Sequence, residues 1–206
     1  MYILNISMKK LFYPLVKNPF SSKDIYEGIK VLKSKQLTLS TKTFELENYF
    51  KKKFNSKFSA MVNSGSSANL LAFQTLINPY RKNRLKTNDE VLIPALCWPT
   101  SFWPIIQSNL KPVFVDCDKN NFNIDIKDLE KKITKKTKCL MLIHVLGHCA
   151  DMDKIMQIVK KYNLILIEDN CESIGSKYKN KYLGTYGDFS TFSFYSSHQI
   201  SGGEGG

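Results

Sequence analysis

The sequence predicts an α/β fold, a largely parallel β-sheet covered by helices on both faces. From about residue 57, short apolar runs rich in β-branched and aromatic residues alternate with longer amphipathic stretches. The short runs are apolar almost throughout instead of alternating with polar residues, which marks strands buried on both faces. A length of 206 residues is enough for one such domain with a sizeable core.

Taken in order, 22–34 and 43–54 read as two helices joined by the extended segment "LTLST" at 37–41. Strands are expected at 58–62 ("FSAMV"), 90–95 ("EVLIPA"), 112–117 ("PVFVDC"), 139–146 ("CLMLIHVL"), 164–169 ("LILIED") and 188–194 ("DFSTFSF"). Helices are expected between them at 66–78, 99–108, 125–133 and 151–162. In "NIDIKDLEKKI" (123–133) an Asp stands at the start, and Ile126, Leu129 and Ile133 follow at helical spacing. The chain thus divides into an N-terminal helical segment, 1–56, and a large domain, 57–206, with no internal repeat and no low-complexity linker.

Composition narrows the function class. The formal net charge is +12, but of 30 basic residues only Arg81 and Arg84 are arginines. The lysines fall on polar helix faces and in turns, as in "KKKF" (51–54) and "KKITKKTK" (131–138). That is a solvated surface without the Arg and aromatic platforms of a nucleic-acid reader. Five cysteines, at 97, 117, 139, 149 and 171, show no metal-ligand spacing. They sit in or beside apolar runs, as small hydrophobes in a reducing compartment do. The opening "MYILNISMKKLFYPLV" is broken by "KNPF" too early for a signal peptide, and no run approaches the length of a membrane helix. The expected location is the cytoplasm, with no membrane partner.

Ligands of such sheets bind at the carboxyl ends of the strands. "VNSGSSANLL" (62–71) reads as strand, Gly-containing turn and helix starting near Ser66. Free N–H groups, the positive end of a helix dipole and two hydroxyls converge there, which suits a phosphate. The same turn also serves simply to cap a helix. "PALCWPTSFW" (94–103) sets Trp98 just after a strand, either to stack on a planar ligand or to pack in the core. "LILIEDNCESIG" (164–175) runs an apolar strand into Glu168 and Asp169. A carboxylate there is costly unless a cation, a metal or a protonated ring nitrogen meets it, helix capping being the alternative role. Glu172 follows as a supporting or acid/base candidate. "STFSFYSSHQISGGEGG" (190–206) offers Ser193 and, five residues on, His198, to flank a common ligand or to serve structure alone.

Together, in this order, these segments resemble one family. "SGSSAN" (64–69), Trp98 in "PALCWPTS", "IEDNCESIGSKYKNKYLGTYGDFSTFSF" (167–194) and "GEGG" (203–206) carry the resemblance, supported by "GIKVLKSKQLT" (28–38) and "FELENYFKKKF" (44–54). The chain resembles the DegT/DnrJ/EryC1/StrS sugar aminotransferases, which are fold type I enzymes dependent on pyridoxal 5'-phosphate. The resemblance implies the large domain of that fold, with a mostly parallel seven-stranded sheet. It also implies that the rest of the large domain and the small C-terminal domain lie beyond this sequence, and that the protein is a homodimer in which each subunit completes the other's site.

The resemblance further implies roles. Gly65, Ser66, Ser67 and Ser193 would hold the cofactor phosphate, and Trp98 would stack on the pyridine ring. Asp169 would pair with the protonated ring nitrogen, and Glu172 would face the ring substituents. Where the family's aminotransferases carry the lysine that binds the cofactor aldehyde, this sequence has His198. Lys177, Lys179 and Lys181 fall in the preceding hairpin. Imidazole forms no stable imine with an aldehyde, so that covalent link is ruled out on chemical grounds. One branch is similar in this substitution: the NDP-4-keto-6-deoxyhexose 3-dehydratases of lipopolysaccharide dideoxysugar synthesis, which carry the cofactor as pyridoxamine 5'-phosphate. The implied substrate is an NDP-4-keto-6-deoxy sugar, with an amino donor such as glutamate to recharge the cofactor, and His198 is the implied base.

Overall fold

The computed structural model describes residues 16–206; the opening 1–15, on which the signal-peptide reading rests, lies outside the described residues. The described chain forms two compact units that divide between Leu37 and Thr38. In the first unit, α1 (Ser22–Ser34) starts from a capping box. The Ser21 N–H donates to Asp24 Oδ2 at 2.7 Å, and the Asp24 N–H donates back to Ser21 Oγ at 3.3 Å. It stops where Lys35 turns left-handed at φ 60°.

The second unit holds the sheet. Its helices are α2 (Thr41–Lys53), α3 (Gly65–Ile77), α4 (Pro99–Gln107), α5 (Ile126–Lys131) and α6 (Met152–Tyr162). Its strands are β1 (Glu90–Pro94), β2 (Lys111–Val115), β3 (Thr137–Ile143), β4 (Ile165–Asp169) and β7 (Phe189–Thr191), with a short antiparallel ribbon of β5 (Lys177–Tyr178) and β6 (Lys181–Tyr182). The five main strands run parallel in the order β2-β1-β3-β4-β7.

Strand pleating sorts alternate side chains to two separate cores. Leu92, Leu140, Leu142 and Leu166 pack with Leu129 of α5 and Met152 and Ile155 of α6. Val91, Ile93, Cys139, Met141 and Ile167 face the other way, onto Phe73 and Leu76 of α3 and Ile105 of α4. The sheet is covered on both faces, and its carboxyl edge, where β1, β4 and β7 end, is left for loops.

Among the described residues the sheet has five of the seven strands that the resemblance implies for the whole large domain. One expectation needs correction: the stretch 58–62 is no sheet strand. Only its end is paired, through Val62 and Gly206, which exchange N–H···O bonds of 2.8 and 3.0 Å. A cavity of about 750 Å³ is lined by Met61 and Val62 of this stretch and by Phe189 and Phe192 in and after β7. Trp98, Asp169, Glu172 and His198 do not border it.

Candidate active site

At the start of α3, the Ser64 hydroxyl accepts from the Ser67 N–H at 3.1 Å. The other N–H groups of the first turn have no acceptor within the helix and point, with the dipole, toward the carboxyl edge of the sheet. Gly65 is buried, and a Cβ there would lie 2.6 Å from Cys171 Sγ and 2.7 Å from Ser193 Cβ. Glycine is therefore what lets the turn after β4 and the end of β7 close onto the helix. The Ser66 hydroxyl donates to Thr100 Oγ1 at 2.8 Å, joining the first turns of α3 and α4.

Trp98 stands at the N-cap of α4, with Pro99 pre-setting the first helical φ. It is 69% exposed, so it is not a core residue.

Asp169 ends β4 and is buried. Its Oδ2 accepts from Asn69 Nδ2 at 2.9 Å and from the Ser101 hydroxyl at 2.8 Å, and its Oδ1 from the Cys171 N–H at 3.1 Å. Thr191 Oγ1 donates to Asn69 Oδ1 at 2.6 Å, so α3, α4, β4 and β7 meet in one network. All the donors are neutral, and no ion pair to Asp169 occurs among the described residues. Burial pushes the Cys97 and Cys171 thiols up, and the nearby Asp169 charge adds to both shifts.

Glu168, one residue earlier, points to the opposite face and is fully buried. Its Oε1 accepts from the Tyr186 and Gly187 N–H groups, each at 2.7 Å, and its Oε2 from the Gly184 N–H at 2.9 Å. His144 Nε2 lies 3.4 Å from Oε2, while His144 Nδ1 accepts from the Ala150 N–H, which puts the ring proton on Nε2. Burial pushes the Glu168 carboxyl up, but the bonds from His144, Gly184 and Gly187 outweigh it and hold the group below its ordinary value. The carboxylate at this strand end is thus met by backbone N–H groups instead of a cation, and it clamps the 184–187 turn that leads into β7.

Glu172 Oε2 accepts from the Leu146 N–H at 2.8 Å, and its carbonyl accepts from Gln199 Nε2 at 2.5 Å. That bond fastens the 195–202 loop. His198 is half-buried there, its N–H on the Tyr195 carbonyl at 3.0 Å and its ring edge-on to the Tyr195 ring at 5.9 Å. The hairpin lysines are engaged elsewhere. Lys177 lies over Tyr182, Lys181 lies over Tyr186, and Lys179 pairs with Asp153.

The residues singled out from sequence are therefore linked: Gly65 with Ser193, Ser66 with the helix that Trp98 caps, and Glu172 with the loop of His198. The Ser67 hydroxyl accepts from the Ser64 hydroxyl at 3.1 Å. Asn69, Ser101 and Thr191 were not foreseen, and neither was the Glu168–His144 pair. Their one sequence signal is a polar residue inside an apolar run, as Asn69 is in "ANLLAF".

A model described as the DegT/DnrJ/EryC1/StrS aminotransferase family matches residues 21–206. The chain belongs to this family. It is 41% identical over 195 residues to a GDP-4-keto-6-deoxy-D-mannose 3-dehydratase of Escherichia coli O55:H7, covering 94% of this chain and 50% of that protein. It is 40% identical over 162 residues to a GDP-perosamine synthase of Escherichia coli O157:H7, covering 79% of this chain and 43% of that protein. A solved E. coli GDP-4-keto-6-deoxy-D-mannose-3-dehydratase with bound hydrated PLP superposes with a TM-score of 0.89 at 40% identity, over 94% of this chain and 49% of that one. The chain spans about half the length of the curated relatives it matches. In this DegT/DnrJ/EryC1/StrS chain the fold type I expectation is borne out, as a parallel sheet with helices on both faces. Among the described residues, no helix is long and apolar enough to cross a membrane, and no His/Cys/Asp/Glu cluster could hold a metal ion.

Proposed function

We propose that the protein is a pyridoxamine-phosphate-dependent 3-dehydratase of an NDP-4-keto-6-deoxyhexose, acting in the cytoplasm as a homodimer in the synthesis of lipopolysaccharide dideoxysugars. The residues present fit the cofactor. Gly65 leaves room only for backbone at the start of α3, where free N–H groups and the Ser66 and Ser193 hydroxyls suit a phosphate. Asp169 is a buried carboxylate whose donors are all neutral, which suits a protonated ring nitrogen. Exposed Trp98 offers a stacking face, and Glu172 lies beside the loop of His198.

When bound, pyridoxamine phosphate supplies the amine that condenses with the sugar's C4 ketone and a ring that delocalises negative charge. Asp169 keeps that ring protonated. The Gly65–Ser67 turn and Ser193 fix its phosphate, and Trp98 shields one ring face from water. His198 would be the group that takes a proton at C4′ and delivers it to the C3 hydroxyl of the sugar, which would leave as water. A neutral imidazole suits that transfer near pH 7. The exposed apolar residues Trp103, Ile106 and Phe114 are the proposed cover for a second subunit.

The observation that carries this reading is His198 in the place of a lysine. Identity alone separates the 3-dehydratase from the perosamine synthase by a single per cent, 41% against 40%. The test is to supply pyridoxamine phosphate and an NDP-4-keto-6-deoxy sugar and to follow both by absorbance and NMR. Retained cofactor and a product with a C3 methylene support the proposal. Nitrogen appearing in the sugar with C3 still oxygenated would favour an aminotransferase, and a protein that neither retains cofactor nor consumes sugar would defeat both readings.

A further inference from the structure

Asn69 lies one helical turn beyond Gly65 in an apolar stretch of α3 and is 2% exposed. A buried primary amide in such a place costs free energy unless both ends are bonded. Both are, and the direction is forced. An ionised carboxylate only accepts, so the Asn69 amino group faces Asp169, its oxygen faces Thr191, and the Thr191 hydroxyl donates. Thr191 is also the residue opposite Asp169 in the β4–β7 register. One amide therefore ties the carboxylate to the neighbouring strand and to the helix whose first turn carries Gly65.

The carboxylate's own bonding is uneven. Oδ2 accepts from Asn69 and Ser101, which fills its two lone pairs, while Oδ1 accepts from the N–H of Cys171, whose thiol also lies against the carboxylate. We infer that Asn69, oriented by Thr191, is a positioning residue that locks the rotation of the Asp169 carboxylate and leaves Oδ1 as the oxygen free to meet the ring nitrogen of the cofactor. This rests on Asp169 serving that nitrogen. Asn69 itself touches no ligand and acts through Asp169.

The hydroxyl of Thr191 makes the idea testable without altering Asp169 or Asn69. Thr191→Val preserves the shape and removes the donor, whereas Thr191→Ser keeps the donor and removes a methyl group. A packing role ranks Val above Ser, and the lock ranks Ser above Val. In a titration with pyridoxal phosphate, Thr191→Ser is expected to match the parent in affinity and in the absorption band of the bound ring. Thr191→Val and Asn69→Leu are expected to bind about tenfold more weakly, with a displaced band. Equal binding by Val and Ser, or tighter binding by Val, would overturn the lock.

Hydrogen exchange at the Asn69 side-chain amide, followed by NMR in the ligand-free protein, separates this inference from the function it rests on. Slow exchange kept in Thr191→Ser and lost in Thr191→Val supports the lock even where the parent binds no cofactor, an outcome that defeats the proposed function alone. Identical exchange in both variants overturns the lock.

Discussion

Glu168→Gln should unfold the clamp that shapes the carboxyl edge of the sheet. The glutamate is fully buried, with Oε1 on two backbone N–H groups at 2.7 Å and Oε2 on a third at 2.9 Å, beside His144. An amide has one acceptor oxygen and one donor nitrogen. Whichever way it is turned, its NH₂ faces either the Tyr186 and Gly187 donors or the Gly184 and His144 donors. The better orientation still loses two bonds to a charged acceptor and leaves buried donors unmet. At about 1.5–3 kcal/mol for each charge-assisted bond, less what relaxation returns, the cost is about 3–5 kcal/mol, a large share of an ordinary domain's stability.

The assay is urea unfolding followed by fluorescence at neutral and acid pH. Because the folded-state pKa of Glu168 is lowered, its contribution is present above the ordinary carboxylate value of about 4.3. It is lost as pH falls through the depressed folded value. The gap between parent and variant should therefore be full at neutral pH and shrink below about pH 4. An unchanged midpoint at neutral pH, or a gap that widens on acidification, would refute the assignment of the carboxylate as an ionised backbone acceptor.

Three further outcomes follow from the site. Gly65→Ala forces a Cβ to within 2.6 Å of Cys171 Sγ and 2.7 Å of Ser193 Cβ, so it should cost about 1–3 kcal/mol and weaken phosphate binding, read by thermal unfolding and by inorganic phosphate competition with pyridoxal phosphate. Trp98→Ala should leave the melting temperature within about a degree, because the indole is exposed, and yet weaken cofactor binding about tenfold, read by absorbance titration. Gln199→Leu cuts the tether from the His198 loop to the Glu172 carbonyl and should lower turnover about tenfold with little change in stability, read by kcat and by melting.

The elements were legible where burial on both faces wrote long apolar runs. Strands β1, β3 and β4 lie within a few residues of their expected positions for that reason. The stretch 58–62 has the same composition yet forms no ladder, since strand pairing depends on a neighbour that local sequence does not specify. The site divides in the same way. Gly65, Trp98, Asp169, Ser193 and His198 stood out as candidates because each opens, ends or follows a regular element at the sheet's carboxyl edge. Asn69 bonds Asp169 across 100 positions and Thr191 across 122, and no local pattern reports contacts so distant. Sequence alone leaves Glu168 open between meeting a positive group and capping a helix, and three backbone N–H groups from a turn 16 to 19 residues on satisfy it. Trp98 was open between core and ligand until its exposure removed the core.

The most direct test of the central claim compares the parent with His198→Lys on one NDP-4-keto-6-deoxy sugar, with pyridoxamine phosphate supplied and the product read by NMR at C3 and C4. The account predicts a C3-deoxygenated product from the parent. It predicts none from His198→Lys, which should instead bind pyridoxal phosphate covalently and absorb in the visible. A parent product that carries nitrogen at C4 and keeps its C3 oxygen, or a His198→Lys variant that dehydrates at the parent rate, would contradict it.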